Sequence, residues 1–98
     1  MADLTRPAQL RLVFEGDFDL VEVENRESAV QRVLDDPPRV LEVDLTEVTF
    51  IGSEALRLLI RVYAAVVDAG GEFRITGASP VARRLLRMTD LTDTLGLA

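Results

Sequence analysis

The sequence predicts an α/β fold with a mixed central sheet of about four to five strands and helices packed on it. Short segments that alternate apolar and polar residues are separated by longer segments whose apolar residues recur at helical spacing. The segments follow one another as strand, helix, strand, helix, strand, helix, which is typical of strands joined by right-handed crossovers. The 98 residues, 48% of them hydrophobic, are enough to build one core. We therefore expect residues 1–98 to form a single domain.

The first part of the chain contains a predicted strand and a predicted helix. Residues 9–15 alternate apolar and polar side chains, as in a strand with one buried face, and a shorter strand over residues 3–6 would precede it. Apolar residues recur at helical spacing over residues 21–34, and Asp19 is placed to cap this helix. Prolines at positions 37 and 38 end the helix, because proline cannot continue it.

The middle of the chain repeats this order with a longer helix. Residues 39–45 alternate again and form the second predicted strand, and residues 46–49 are expected to be a short connection. A helix is predicted from residue 53 to residue 69, and the glycines at positions 70 and 71 end it. Its interior is nearly all apolar, so we expect neighbouring elements to cover most of it.

The last part of the chain contains one more strand and one more helix. Residues 72–76 form the third predicted strand. The last helix begins after Ser79, which is expected to be its N-cap, and Pro80 lies in its first turn, where the missing N–H costs nothing. Residues 91–97 are apolar enough to pack back on the domain.

Composition excludes several classes of function. The chain has no cysteine and no histidine, so thiolate nucleophiles, disulfides and the commonest metal ligands are absent, and neither a metal nor a cofactor is expected. The net charge of −6 disfavours binding to nucleic acid. The longest apolar run, residues 58–67, is interrupted by arginine and is too short to insert into a membrane. These features favour a cytoplasmic protein that is not an enzyme.

Four segments, taken in order along nearly the whole chain, carry a family resemblance. Residues 44–53, Asp-Leu-Thr-Glu-Val-Thr-Phe-Ile-Gly-Ser, resemble the signature of the STAS family, and residues 16–19, Gly-Asp-Phe-Asp, are similar to the family's Gly-Glu-Leu-Asp. Residues 70–75, Gly-Gly-Glu-Phe-Arg-Ile, and residues 79–86, Ser-Pro-Val-Ala-Arg-Arg-Leu-Leu, match two later segments. The resemblance implies a STAS-like fold for the single predicted domain.

The resemblance also implies a function. STAS proteins of this length are often anti-sigma-factor antagonists, which bind a serine kinase that holds a sigma factor inactive. The kinase switches them off by phosphorylating one serine, and a PP2C-type phosphatase reverses this. Ser53 falls at the position of that serine. The chain departs from the signature at its neighbours, with Gly52 in place of aspartate, Glu54 in place of a serine or threonine, Ala55 in place of glycine and Arg57 in place of a small residue.

Six residues are the candidate partner-binding site by this resemblance: Asp17, Asp19, Gly52, Ser53, Glu54 and Arg57. Ser53 is also expected to be a helix N-cap, whose hydroxyl accepts a backbone N–H. Glu54 is a favourable acid for a first helical turn or a fixed charge beside the serine, and Arg57 is placed to pair with Glu54 or with a phosphate. No catalytic residue is assigned, because no nucleophile and base stand out together.

Two functions remain open from the sequence. The first is an antagonist that docks to an anti-sigma-factor kinase and is phosphorylated at Ser53. The alternative is a STAS subunit without a phosphorylation switch that acts structurally in a larger assembly, such as a lipid-transport ATPase or a stress-signalling complex. The altered residues around Ser53 favour the alternative, and the length of the chain suits either. The oligomeric state does not follow from the sequence.

Overall fold

Three parallel strands form the sheet in the computed structural model, which describes residues 8–96. β1 spans Gln9–Phe18, β2 spans Val40–Ile51 and β3 spans Glu72–Ala78, and β2 lies between the other two. The predicted α/β class is confirmed, with helices between successive strands. The described strands are fewer than the four to five expected, and all are parallel rather than mixed. The strand expected over residues 3–6 lies outside the described residues.

Four helices complete the described part of the chain. α1 spans Leu20–Asn25, α2 spans Glu27–Asp35, α3 spans Ser53–Asp68 and α4 spans Pro80–Met88. α3 ends one residue before its predicted end. α4 begins after Ser79, whose hydroxyl accepts the backbone N–H of Ala82 at 3.3 Å, so the predicted cap is confirmed.

The helix predicted over residues 21–34 is two helices that meet at Arg26. The guanidinium of Arg26 donates to the carbonyl oxygen of Val13 at 2.6 Å and lies 4.5 Å from the centre of the Phe14 ring. It also pairs with Glu22 at 2.8 Å. These contacts fix the junction against β1. The prediction of one continuous helix was therefore wrong. The spacing of apolar residues along residues 21–34 contains no signal for this break, because contacts with β1 determine it.

β2 is longer than predicted, because it continues through residues 46–49 to Ile51. The register between β1 and β2 shifts twice: Val13 pairs with Asp44 but Glu15 pairs with Glu47, and the offset grows again between Gly16 and Asp17. Each shift places one extra residue in β2, as a β-bulge does. These extra residues interrupt the alternation of apolar and polar side chains along β2. The sequence of residues 46–49 therefore resembles that of a loop, and the predicted connection there was wrong.

The core lies between one face of the sheet and the helices. The buried side chains of β1, β2 and β3 alternate with exposed or half-buried ones that are mostly polar, and Val13 and Phe50 are exposed apolar exceptions on the opposite face of the sheet. On that face Arg11 pairs with Asp44 at 2.7 Å. In the core the rings of Phe14 and Phe18 stack with their centres 4.1 Å apart. Leu95 is fully buried, so the segment after α4 packs back on the domain as expected, while residue 97 lies outside the described residues.

No helix within residues 8–96 is both long enough and apolar enough to cross a membrane.

Candidate functional site

The site is built where β1 and β2 end side by side. Parallel strands bring their carboxyl ends to the same edge of a sheet, and here Asp17 pairs with Phe50 while Phe18 pairs with Ile51. The backbone N–H of Gly52 then donates to the carbonyl oxygen of Phe18 at 3.0 Å. The two segments that contain the candidate partner-binding residues, residues 17–19 and residues 52–57, are therefore adjacent in space.

Ser53 is exposed at the first residue of α3. The residue at the N-cap position is Gly52, which has extended backbone angles and whose carbonyl oxygen accepts from the N–H of Leu56 at 3.2 Å. The prediction that Ser53 caps the helix was therefore wrong by one position. Its hydroxyl instead donates to the side-chain carboxylate of Glu54 at 2.8 Å. The Ser53 hydroxyl is therefore accessible to solvent and is hydrogen-bonded to the negatively charged carboxylate of Glu54.

The Glu54 carboxylate has the Ser53 hydroxyl as its partner rather than Arg57. Among the ion pairs of residues 8–96, none joins Glu54 to Arg57. The pairing that the sequence favoured is thus not formed, although the two residues are three positions apart on one helix. Arg57 is exposed one turn from Ser53, so a cation that makes no ion pair with any described residue stands beside the serine.

Asp17 and Asp19 have different environments. Asp19 caps α1, as predicted, because its carboxylate accepts the backbone N–H of Glu22 at 3.1 Å. Asp17 is exposed and accepts from the Thr49 hydroxyl at 3.2 Å across the strand pair. Within the described residues, no group of three or more potential acidic ligands is arranged to hold a metal ion.

Three exposed apolar side chains flank the site and were not assigned to it from the sequence. Phe50 is 51% exposed, and its ring lies 3.5 Å from the place that a Cβ on Gly52 would occupy. Leu20 and Val21, in the first turn of α1, are 52% and 62% exposed. An apolar residue at the end of a strand is usually assigned to the core, so the sequence offered no signal that Phe50 faces solvent. Exposed apolar groups beside polar ones are typical of protein-binding surfaces.

The signature segment begins inside β2, upstream of this edge. The Asp44 carboxylate accepts from the Thr46 hydroxyl at 2.6 Å and from the Thr46 backbone N–H at 2.9 Å, and Arg11 lies on its other oxygen. The bonds from Thr46, followed by that from Arg11, hold the pKa of Asp44 below its usual range. Asp44 and Thr46 thus stabilise a bend inside β2, upstream of the exposed serine.

Comparison with known proteins gives three agreeing results. A family model described as "Mlab, STAS domain" matches residues 2–97. Two curated relatives, both named anti-sigma-F factor antagonist RsfB, from two strains of Mycobacterium tuberculosis, are 29% identical over 82 residues. This alignment covers 84% of the present chain and 66% of the relatives, which is just under two thirds of their length.

The third result is a solved structure, that of the anti-sigma factor antagonist SpoIIAA in its unphosphorylated form. It matches with a TM-score of 0.77 and 14% sequence identity, over 93% of this chain and 80% of that one. At this identity the match shows a shared fold. The family model, in contrast, covers nearly the whole sequence, and the chain belongs to the STAS domain family.

Proposed function

We propose that this STAS domain acts as an anti-sigma-factor antagonist, by docking to an anti-sigma-factor serine kinase in the cytoplasm. The observation that supports this most is the exposed edge where Ser53, Asp17 and Phe50 lie together, in a chain homologous to proteins named for that activity. The edge combines an exposed apolar ring, an exposed carboxylate and an exposed hydroxyl, which suits recognition by another protein. The function is binding, without a reaction catalysed by this chain.

We further propose that phosphorylation of Ser53 releases the kinase. The kinase would transfer the γ-phosphoryl group of its ATP to the Ser53 oxygen, whose proton is lost, and a PP2C-type phosphatase would hydrolyse the ester. A phosphate adds about −1.5 to −2 charge at neutral pH. It would lie beside the Glu54 carboxylate, which now accepts the Ser53 hydroxyl, so the local negative charge would rise sharply. The free N–H groups at the start of α3 would stabilise the phosphate without unfolding the helix.

A second candidate function is a STAS subunit that is never phosphorylated and acts structurally in a larger assembly. Two observations favour it. The residue before Ser53 is Gly52, which supplies no carboxylate, and the hydroxyl of Ser53 is already engaged by Glu54. In this case the same edge would still bind a partner, but its charge would be fixed by Glu54 rather than switched.

Capture of partners from the native cell tests both candidates. The wild-type chain, Ser53→Ala and Ser53→Asp would each be used as bait, with Ser28→Asp as a matched control, because Ser28 is also exposed on a helix. We expect wild type and Ser53→Ala to capture a serine kinase, and Ser53→Asp to lose most of it. Incubation with that kinase and ATP should modify Ser53 alone. Capture of the same kinase by all three baits, with no modification, would contradict the switch and support the second candidate. Failure to capture any kinase would contradict the proposed docking.

A further inference from the structure

The outer face of α3 carries a continuous exposed stripe. At 3.6 residues per turn, five side chains lie within about 80° of one another on this helix, opposite its buried face. They are Ser53, Arg57, Ile60, Ala64 and Val67, and all are exposed, with Ile60 and Val67 at 41% each. Steps of four and three residues alternate along the stripe, which is the spacing of side chains that pack one helix against another. Only the first turn of this stripe belongs to the site described above.

We propose that α3 pairs with α3 of a second copy of this chain, in antiparallel orientation, about a two-fold axis beside Ala64. In this register Ala64 of one copy faces Ala64 of the other, and its small side chain lets the two helices approach closely. Ile60 of each copy then packs on Val67 of the other. The contact is isologous, because the same stripe serves both copies, and it therefore closes as a dimer.

Charge complementarity selects the second copy as the occupant and fixes the orientation. Arg57 and Arg61 lie on one flank of the stripe and Asp68 lies further along the same flank, all three exposed and without an ion pair to any described residue. The antiparallel register places Asp68 of each copy between Arg57 and Arg61 of the other. A parallel pair would bring residues of the same number to the same height, so Asp68 of one copy would lie about 10 Å along the axis from Arg61 of the other. Antiparallel helices also oppose their dipoles favourably.

The ends of α3 fit this arrangement. Gly70 and Gly71 follow Ala69, the C-cap of the helix, so no side chain at positions 70 and 71 obstructs Arg57 of the second copy. Ser53 lies beyond the end of the opposing helix and stays open to solvent.

The contact is small, so the dimer is expected to be weak. Ile60 to Val67 spans about 11 Å of helix, and Arg57 to Asp68, the outermost residues of the contact, about 17 Å. A helix is about 10 Å wide, so the footprint is on the order of 200 Å² per copy. Stable complexes bury about 800 Å² per partner. We expect a dimer that forms at high protein concentration and dissociates on dilution.

Analytical ultracentrifugation tests whether the dimer forms. The full chain would be measured at concentrations up to about 1 mM, because a contact this small is expected to bind weakly. Wild type should shift from monomer to dimer. Ile60→Glu should weaken the dimer tenfold or more, since each dimer contains two Ile60 contacts and a buried carboxylate without a partner is costly. Met88→Glu is the matched control, because Met88 is 73% exposed on α4 and lies off the stripe. A chain that stays monomeric throughout, or a dimer that Ile60→Glu leaves intact, would overturn the proposal.

Cysteine cross-linking tests the orientation, since the natural chain contains no cysteine. Ala64→Cys should form a disulfide-linked dimer under mild oxidation, because a disulfide requires Cα atoms within about 7 Å. A mixture of Ile60→Cys and Val67→Cys chains should link mainly to each other, while Met88→Cys should not link above background. Preferential linking of Ile60→Cys to itself would indicate parallel helices and contradict the register. Equal linking at all positions would show random collision and overturn the dimer.

Discussion

Replacing Gly52 with aspartate should stabilise the protein and restore the family's residue before Ser53. Gly52 occupies the N-cap position of α3 with φ of −99° and ψ of 175°, which is extended backbone that any residue adopts. A Cβ there would meet its nearest atom, Cε2 of Phe50, at an ordinary 3.5 Å. The glycine is therefore not required by space or by conformation, and the substitution can be interpreted through capping alone.

The expected size follows from the cap. An aspartate at this position would accept the free N–H of Glu54 or Ala55, which glycine cannot do. Relative to glycine the gain is a few tenths of a kcal/mol, whereas alanine loses stability, so Gly52→Asp and Gly52→Ala should differ by about 1 kcal/mol. For a domain of this length that is about 4–8 °C in Tm. The Glu54 carboxylate repels the new charge and reduces the gain at low salt, an effect that salt should screen.

Urea and thermal unfolding of wild type, Gly52→Asp and Gly52→Ala measure this order. We expect the aspartate variant to be the most stable and the alanine variant the least, with the difference growing as salt is added. An aspartate variant as unstable as the alanine variant would refute the reasoning, because it would mean that α3 does not begin where Gly52 is placed to cap it. In the presence of the kinase, Gly52→Asp should also raise phosphorylation of Ser53.

Three further predictions concern the framework that holds the site. Gly71→Ala should lower the unfolding free energy by about 1–3 kcal/mol in urea, because a methyl group there would lie 2.8–2.9 Å from two backbone carbonyl oxygens and a valine methyl. The pKa of Asp44, followed by NMR, should lie below its usual value, and Thr46→Val should raise it. Because folding lowers this pKa, the ionised Asp44 carboxylate stabilises the folded state at neutral pH, and this contribution is lost as the pH falls below about 4. Leu59→Ala should cost about 2–5 kcal/mol, because Leu59 is fully buried on α3, whereas the exposed neighbour Ile60→Ala should cost less than about 1 kcal/mol.

The elements that sequence patterns predicted well are those whose apolar residues keep one period throughout. α3 was predicted to within one residue, because its apolar positions repeat with the helical period along its whole length. Asp19 and Ser79 were recognised as caps because each is a short polar residue directly before a helix. In these cases the information that selects the structure is local.

The predictions from sequence were wrong where contacts between distant residues determine the local structure. The two bulges in β2 interrupt its alternation, and their reason is the register against β1, which no local pattern contains. The break between α1 and α2 depends on contacts of Arg26 with Val13 and Phe14, which are more than ten residues away. Serine is a better cap than glycine, which favours Ser53 as the cap, yet the helix begins one residue earlier, with Gly52 at the N-cap.

The candidate site was predicted from family resemblance rather than from periodicity. The structure adds the physical reason why residues 17–19 and Ser53 lie together, since β1 and β2 are parallel and end at the same edge. The exposed ring of Phe50 could not have been found from the sequence, because an apolar residue in a strand is indistinguishable from a core residue until the register is known.

Three different parts of α3 have three different roles: one side packs in the core, the N-terminal end carries the candidate site, and the outer side carries the proposed dimer contact. One side is fixed by the core through residues such as Leu59 and Val62, which are fully buried. The N-terminal end carries Ser53, and the outer side carries Ile60 and Val67. Because these side chains pack α3 against the core, a partner at the end of the helix and a second copy on its outer side would both meet preformed surfaces. The two surfaces share only Arg57, so occupancy of one should alter affinity for the other mainly through that single side chain, and not through a change in the position of the helix.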